Sequence, residues 1–229
     1  MNKLSKKLMV VSFLTGILVI GAAADAKTLS TQQREERLKH ARELLGKHYR
    51  KSTAKIGEKI PKINSLVYRW TKERLPNKFK SQNKVLAQAI IDESLKHGFD
   101  PIFLMSVIQG ESSFRPDMVG GVGEIGLMQI RPETGKWIAE KFNMKWNGNN
   151  SLFDPVTNVR IGAAFLSFLR DRFDSHAQLY LAAYNMGQRN VDSALEKDIW
   201  PKDYPQHVMK HYIEFYAAAA QNKKVSAVN

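Results

Sequence analysis

The sequence predicts a mainly α-helical domain behind a basic helical extension. Three observations point there: apolar residues recur at helical spacing from Val85 onward, no alternating run is long enough for a substantial strand, and the excess positive charge is confined to one N-terminal stretch. With 229 residues, 43% of them hydrophobic, the chain can bury one good core. The absence of cysteine excludes a disulfide framework, a Cys-ligated zinc site and lipidation at a cleavage-site cysteine.

The elements follow in order. Lys3, Lys6 and Lys7 precede an uncharged run of 13 residues from Leu8 to Ile20, which ends in Gly21-Ala22-Ala23-Ala24-Asp25-Ala26. A positive start, a short apolar stretch and an Ala-x-Ala ending are what an export machine and its peptidase read, so residues 1–26 are expected to be a signal peptide. A membrane anchor is the competing reading, but a bilayer core asks for about 20 apolar residues. The protein is therefore expected to be exported, periplasmic or secreted, and not a lipoprotein.

Residues 27–80 hold 16 Lys+Arg against 5 Glu, a net of +11, whereas residues 81–229 hold 16 of each sign. The segment reads as two or three amphipathic helices, with Leu38, Leu44 and Leu45 in the first, a break at Ile60-Pro61, and Ile63 to Trp70 opening the next. Its charge suits an anionic wall polymer or membrane surface, and an export signal makes nucleic acid an unsuitable partner. A solvated collar packed on the main domain by its leucines fits the same pattern. As an extension, it is expected to be dispensable for cutting short soluble substrates.

A domain over 81–222 follows, with a tail at 223–229. Val85, Leu86, Ala89, Ile90 and Leu95 form a helical stripe stopped by Gly98. Asp100-Pro101 starts the next helix, Asp as cap and Pro in the first turn, and Leu104, Met105 and Ile108 face inward. Further helices are expected at Glu133–Lys141, Pro155–Phe173, Ala177–Asn185 and Tyr204–Ala220, with Gly120–Gly126 as a short hairpin or loop.

Glu111 stands seven and three residues after Leu104 and Ile108, on the apolar side of its helix. Partial removal from water disfavours its anion and raises its pKa, as a general acid near neutral pH requires; a surface Glu near a helix end is the plain alternative. Downstream, Met128 and Gln129 follow Gly120, Gly121, Gly123 and Gly126. That backbone lets a ligand approach closely, and Gln129 both donates and accepts, as sugar hydroxyl and acetamido groups demand. Tyr184-Asn185-x-Gly187 closes a helix.

Taken together, Glu111-Ser112-x-Phe114-x-Pro116, Gly123-x-x-Gly126-Leu127-Met128-Gln129-Ile130-x-Pro132 and Ala182-Ala183-Tyr184-Asn185-x-Gly187, in that order, resemble the soluble lytic transglycosylase family, whose fold is similar to goose-type lysozyme. Phe153-Asp154-Pro155-x-x-Asn158 and Tyr204-x-x-x-Val208-x-x-x-Tyr212 resemble that family's intervening helix and final motif. The resemblance covers roughly residues 82–218 and does not reach 27–80.

The resemblance implies a lysozyme-like domain acting as a monomer on peptidoglycan glycan strands, cleaving the β-1,4 bond between N-acetylmuramic acid and N-acetylglucosamine with Glu111 as sole catalytic acid and a 1,6-anhydro product. It implies that Tyr184 orients the acid, that Ser112, Met128, Gln129 and Asn185 contact substrate, and that Tyr204 helps hold the carboxyl group. Pro205 stands where the family has valine after that tyrosine, which weakens the last match. Family members commonly carry Ser at the place of Gly120 and Ala at that of Glu124. Glu124 is thus a possible second carboxylate, the part a lysozyme-type hydrolase needs to activate water, though a loop or rim place suits it better. A wall-binding module without turnover is the rival from another class, and the presence of Glu111 with Tyr184 and Asn185 favours an enzyme. No cofactor is implied. His207 and His211 stand at i and i+4 without the Glu of an HExxH pattern, so no metal is expected.

Overall fold

The computed structural model describes residues 31–57 and 63–226. The expected signal peptide lies outside them. Among the described residues ten α-helices form: α1 Thr31–Leu45, α2 Thr53–Gly57, α3 Ile63–Arg74, α4 Asn83–Lys96, α5 Pro101–Ser112, α6 Pro132–Lys141, α7 Pro155–Arg172, α8 Ala177–Met186, α9 Gln188–Leu195 and α10 Asp203–Ser226. Short 3-10 turns at Gly46–Lys51, Asn77–Gln82 and Asn149–Phe153 bridge neighbours. Among the described residues no strand forms; the glycine-rich loop makes only isolated bridges, Val119 to Ile125 and Ile125 to Ile130. The fold class is therefore mainly α, as expected. No described helix is long and apolar enough to cross a membrane.

Local chemistry explains the boundaries. Asp100 Oδ1 accepts from the Ile102 N–H at 3.0 Å and Asp154 Oδ1 from the Thr157 N–H at 2.7 Å, each followed by a proline at the first helical position. Helix α9 was not expected. Gly187, at φ 86°, breaks the chain after α8, and an eight-residue helix buries only Val191, too little apolar pattern to read from sequence.

α5 is the central helix: Ile102 to Ile108 are all buried, and α10, α4 and α3 pack around it. The core does not stop at residue 80. Ala41, Tyr49, Ala54, Val67, Trp70 and Leu75 belong to the same apolar cluster as α5 and α10.

Polar groups lock that junction. Arg37 Nη1 donates to the Tyr216 hydroxyl at 2.9 Å, and the Tyr216 and Tyr212 hydroxyls both donate to Asp100 Oδ2. His40, fully buried, accepts at Nδ1 from the Asp100 N–H at 3.0 Å and meets the Tyr180 hydroxyl at 3.2 Å through Nε2. Burial, with Arg170 nearby, holds its pKa well below the ordinary imidazole value, so it stays neutral. Arg170 closes an ion pair with Glu43. This basic segment thus shares the core of the main domain and supplies hydrogen-bond partners to Asp100 and Tyr216.

Candidate active site

Glu111 stands in the last turn of α5, one residue before the helix ends. The ending is abrupt. Ser113 and Phe114 both take left-handed backbone, φ 51° and 61°, and turn the chain away so that the Glu111 carboxyl group faces an open cavity.

That cavity holds about 540 Å³ and is walled by Glu111, the 118–134 loop and helix start, Phe165 of α7, and the C-terminal end of α8 with Asn190 beyond it. Glu111 carries the most perturbed carboxyl group there. Burial raises its pKa from the ordinary value to about 7; a hydrogen bond from Tyr204 opposes that rise and the negative charge of Glu124 adds to it. Tyr204 lies at the start of α10, and its hydroxyl donates to Glu111 Oε1. Its own pKa is pushed well above the phenol range by burial and by Glu111, so it remains a donor.

The glycine-rich loop is held from behind. Asn158 is fully buried; its Oδ1 accepts from the Met128 N–H at 2.8 Å, and its Nδ2 donates to the carbonyls of Ile125 and Leu152 at 2.8 and 2.9 Å. A Cβ on Gly126 would sit 2.4 Å from that Nδ2 and its φ is +81°, so only glycine lets the clamp close.

The expected site residues divide into two groups. Glu111, Glu124, Gln129, Tyr184 and Asn185 share the cavity wall. Gln129 spends both amide hydrogens on the carbonyls of Met118 and Gly126, at 3.3 and 2.9 Å, which leaves Oε1 as an acceptor. The other group lies behind the wall. The Ser112 side chain is buried and its hydroxyl donates to the Leu127 carbonyl at 2.8 Å, tying α5 to the loop. Met128 is fully buried against Gly162, where a Cβ would come within 2.4 Å of its sulfur. Both were expected against substrate; the structure uses them for packing, Ser112 because it sits on the inner face of α5 and Met128 because the loop's tight backbone turns it inward.

Tyr204 bonds to the acid in the place the resemblance implied for it, whereas Tyr184, implied to orient the acid, bonds elsewhere. Tyr184 donates to the Met128 carbonyl at 2.8 Å and stacks near Tyr204, ring centres 6.4 Å apart, while Tyr204 makes the bond to the acid. Phe165, Arg131, Glu133 and Asn190 also line the cavity and were missed. Arg131 and Glu133 flank the motif's Pro132 without being part of its pattern, and only the packing of the helices around the loop brings Phe165 and Asn190 beside them. Among the described residues no group of three or more His, Asp or Glu side chains is arranged to hold a metal ion.

Residues 88–206, just over half of the chain, match the family model of the Transglycosylase SLT domain. The chain belongs to the SLT transglycosylase family. Similar SLT proteins include the "Transglycosylase" of Enterobacteria phage PRD1, 33% identical over 118 residues, covering 52% of this chain and 39% of the phage protein. The "Membrane-bound lytic murein transglycosylase C" of Serratia proteamaculans is 27% identical over 142 residues, covering 58% of this chain and 40% of that protein. In structure, the lytic transglycosylase Slt of Pseudomonas aeruginosa, solved as an inactive Glu-to-Gln mutant, superposes with a TM-score of 0.53 at 29% identity, covering 58% of this chain and 24% of that one. This SLT chain thus spans well under half the length of these relatives. The family match begins inside α4, so α1 to α3 lie outside it although they share its core.

Proposed function

We propose that this protein is a peptidoglycan lytic transglycosylase that cleaves the β-1,4 bond between N-acetylmuramic acid and N-acetylglucosamine without consuming water, with Glu111 as its only catalytic carboxyl group. The observation that carries the reading is the Glu111 carboxyl: mostly buried, facing the cavity, pKa raised to about 7 and held by Tyr204. At neutral pH a large share of it is protonated and ready to give a proton to the glycosidic oxygen. The substrate's own N-acetyl oxygen supports the anomeric carbon as that bond breaks. Glu111, now an anion, takes the proton of the muramic acid 6-hydroxyl, whose oxygen bonds to C1. Glu111 ends protonated, as it began, and the product is the 1,6-anhydro sugar.

Support comes from two further directions. The relatives' names describe murein transglycosylases, and a Glu-to-Gln change marks the inactive P. aeruginosa protein. Glu124 is poorly placed to serve as a water-activating base, because Arg131 Nε lies 3.5 Å from its Oε1 and the Val122 N–H donates to its Oε2 at 3.2 Å. Mass spectrometry of fragments released from purified peptidoglycan tests the reading. Anhydro ends support it; ends heavier by one water transfer the enzyme to the lysozyme-type hydrolases.

We also place this activity outside the cytoplasm, behind the signal at residues 1–26. The outward cations of the N-terminal helices, Arg34, Lys39, Arg42, Lys47, Arg50, Lys51 and Lys72, are exposed and give a salt-sensitive hold on anionic wall polymer or lipid. Charge-reversing four of them keeps the core intact; retention on isolated walls at low salt should fall, and unchanged retention would refute the hold.

A further inference from the structure

The cavity contains a second carboxylate whose position is controlled with unusual care. Gly120 supplies the room: a Cβ there would lie 2.5 Å from Glu124 Oε2 and 2.7 Å from Gln129 Oε1. No side chain at 120 lets the carboxylate stand where it does. The Gly120 N–H donates to the Glu124 carbonyl at 2.7 Å, which closes a tight turn and folds the Glu124 side chain back over the glycine. The Val122 N–H fixes Oε2 and Arg131 stands at 3.5 Å from Oε1. The Glu124 side chain is 22% exposed while that of Arg131 is 52% exposed, so the cation is the more solvent-screened partner and leaves the carboxylate's charge incompletely cancelled.

Charged and titratable groups approach Glu111 from α6, α8, α10 and the glycine-rich loop. Tyr204 from α10 and Tyr184 from α8 are protonated phenols. His207 and His211 of α10 lie against Gly110, on the helix backbone beside the acid. Glu124, Arg131 and Glu133 stand on the cavity wall. Of the wall groups, Glu124 is the one whose charge bears on Glu111 and holds its proton more tightly.

We propose that Glu124 is a positioning residue that sets the pH range over which Glu111 delivers its proton, with Gly120 making room for the carboxylate and Arg131 moderating its charge. The inference rests on Glu111 being the acid of the proposed reaction only for its functional meaning; the electrostatic relation between the residues stands apart from it. Glu124 neither touches the reacting atoms nor activates water. It acts through Glu111.

The test is the titration midpoint of the Glu111 carboxyl, followed by carbon-13 NMR in the parent protein and in three variants, with a Glu111→Gln sample to assign the signal. Glu124→Gln keeps the shape and removes the charge, so the midpoint should fall. Gly120→Ala expels the carboxylate from its place and should lower it too. Arg131→Gln unmasks the carboxylate and should raise it. A displacement of about half a pH unit corresponds to a roughly threefold change in the protonated fraction on the alkaline side. The alkaline limb of kcat/KM should move the same way in each variant, while the product keeps its mass. A midpoint unmoved by Glu124→Gln, or moved in the same direction by Glu124→Gln and Arg131→Gln, overturns the inference. The function proposed above fails on a different readout, namely hydrated products from the parent or undiminished cutting by Glu111→Gln.

Discussion

The Tyr204 hydroxyl donates to the Glu111 carboxylate across 93 positions of sequence, joining the start of the last helix to the end of the central one. The bond stabilises the anion and so opposes burial, which favours the neutral acid; burial wins, and the balance sits near neutrality.

Tyr204→Phe removes the hydrogen bond that opposes the rise. The Glu111 carboxyl should then hold its proton to still higher pH, moving the alkaline limb of the rate profile upward, while the loss of orientation lowers kcat by about tenfold. A pH profile of glycan cutting checks both effects. A limb that moves toward acid would show that the hydrogen bond favours the protonated form instead.

Glu111→Gln should alter stability with a defined sign. The folded carboxyl has a raised pKa, so its protonated form contributes stability fully below about pH 4.5, and that contribution is lost as pH rises through about 7. The variant does not titrate there. Relative to the parent it should gain up to about 3 kcal/mol between pH 4.5 and 8, measured by urea unfolding at both pH values. Equal differences at the two pH values would place the carboxyl group in water.

Arg37→Ala should destabilise the whole domain by about 3–5 kcal/mol, because it strips a buried cation from the Tyr216 and Asp100 network. Thermal unfolding should remain a single transition, since α1 shares its core with α5 and α10. Two transitions, with only the first moved, would instead make α1 to α3 a separate unit.

Asn158→Ala should cost about 2–4 kcal/mol and depress cutting together with stability, because three backbone groups of the 125–152 region lose their partner at once. Unfolding by denaturant and the rate of fragment release, measured on one preparation, check it.

What was legible in the sequence was what local spacing dictates. Asp100-Pro101 and Asp154-Pro155 mark helix starts through their own capping chemistry, and Leu104, Ile108 and Glu111 share a face because a helix turns every 3.6 residues. The clustered glycines announced a tight loop. What stayed hidden depends on partners far apart in the chain. Nothing around His40 in the sequence marks it out, yet it meets Tyr180 at a separation of 140 residues, and Arg37 meets Tyr216 at 179. The resemblance implies substrate contact for Ser112 and Met128, but motif order says who is near the site and not which way a side chain points. Gly120 and Glu124 could be named as departures from the family pattern, but only the backbone turn shows that one makes room for the other.

The most direct measurement is the release of soluble fragments from purified peptidoglycan by the Glu111→Gln protein beside the parent, with strand binding followed in the same samples. The account predicts cutting reduced at least about 100-fold while binding persists. Fragment release at the parental rate would contradict it, because the buried carboxyl could then not be the proton donor.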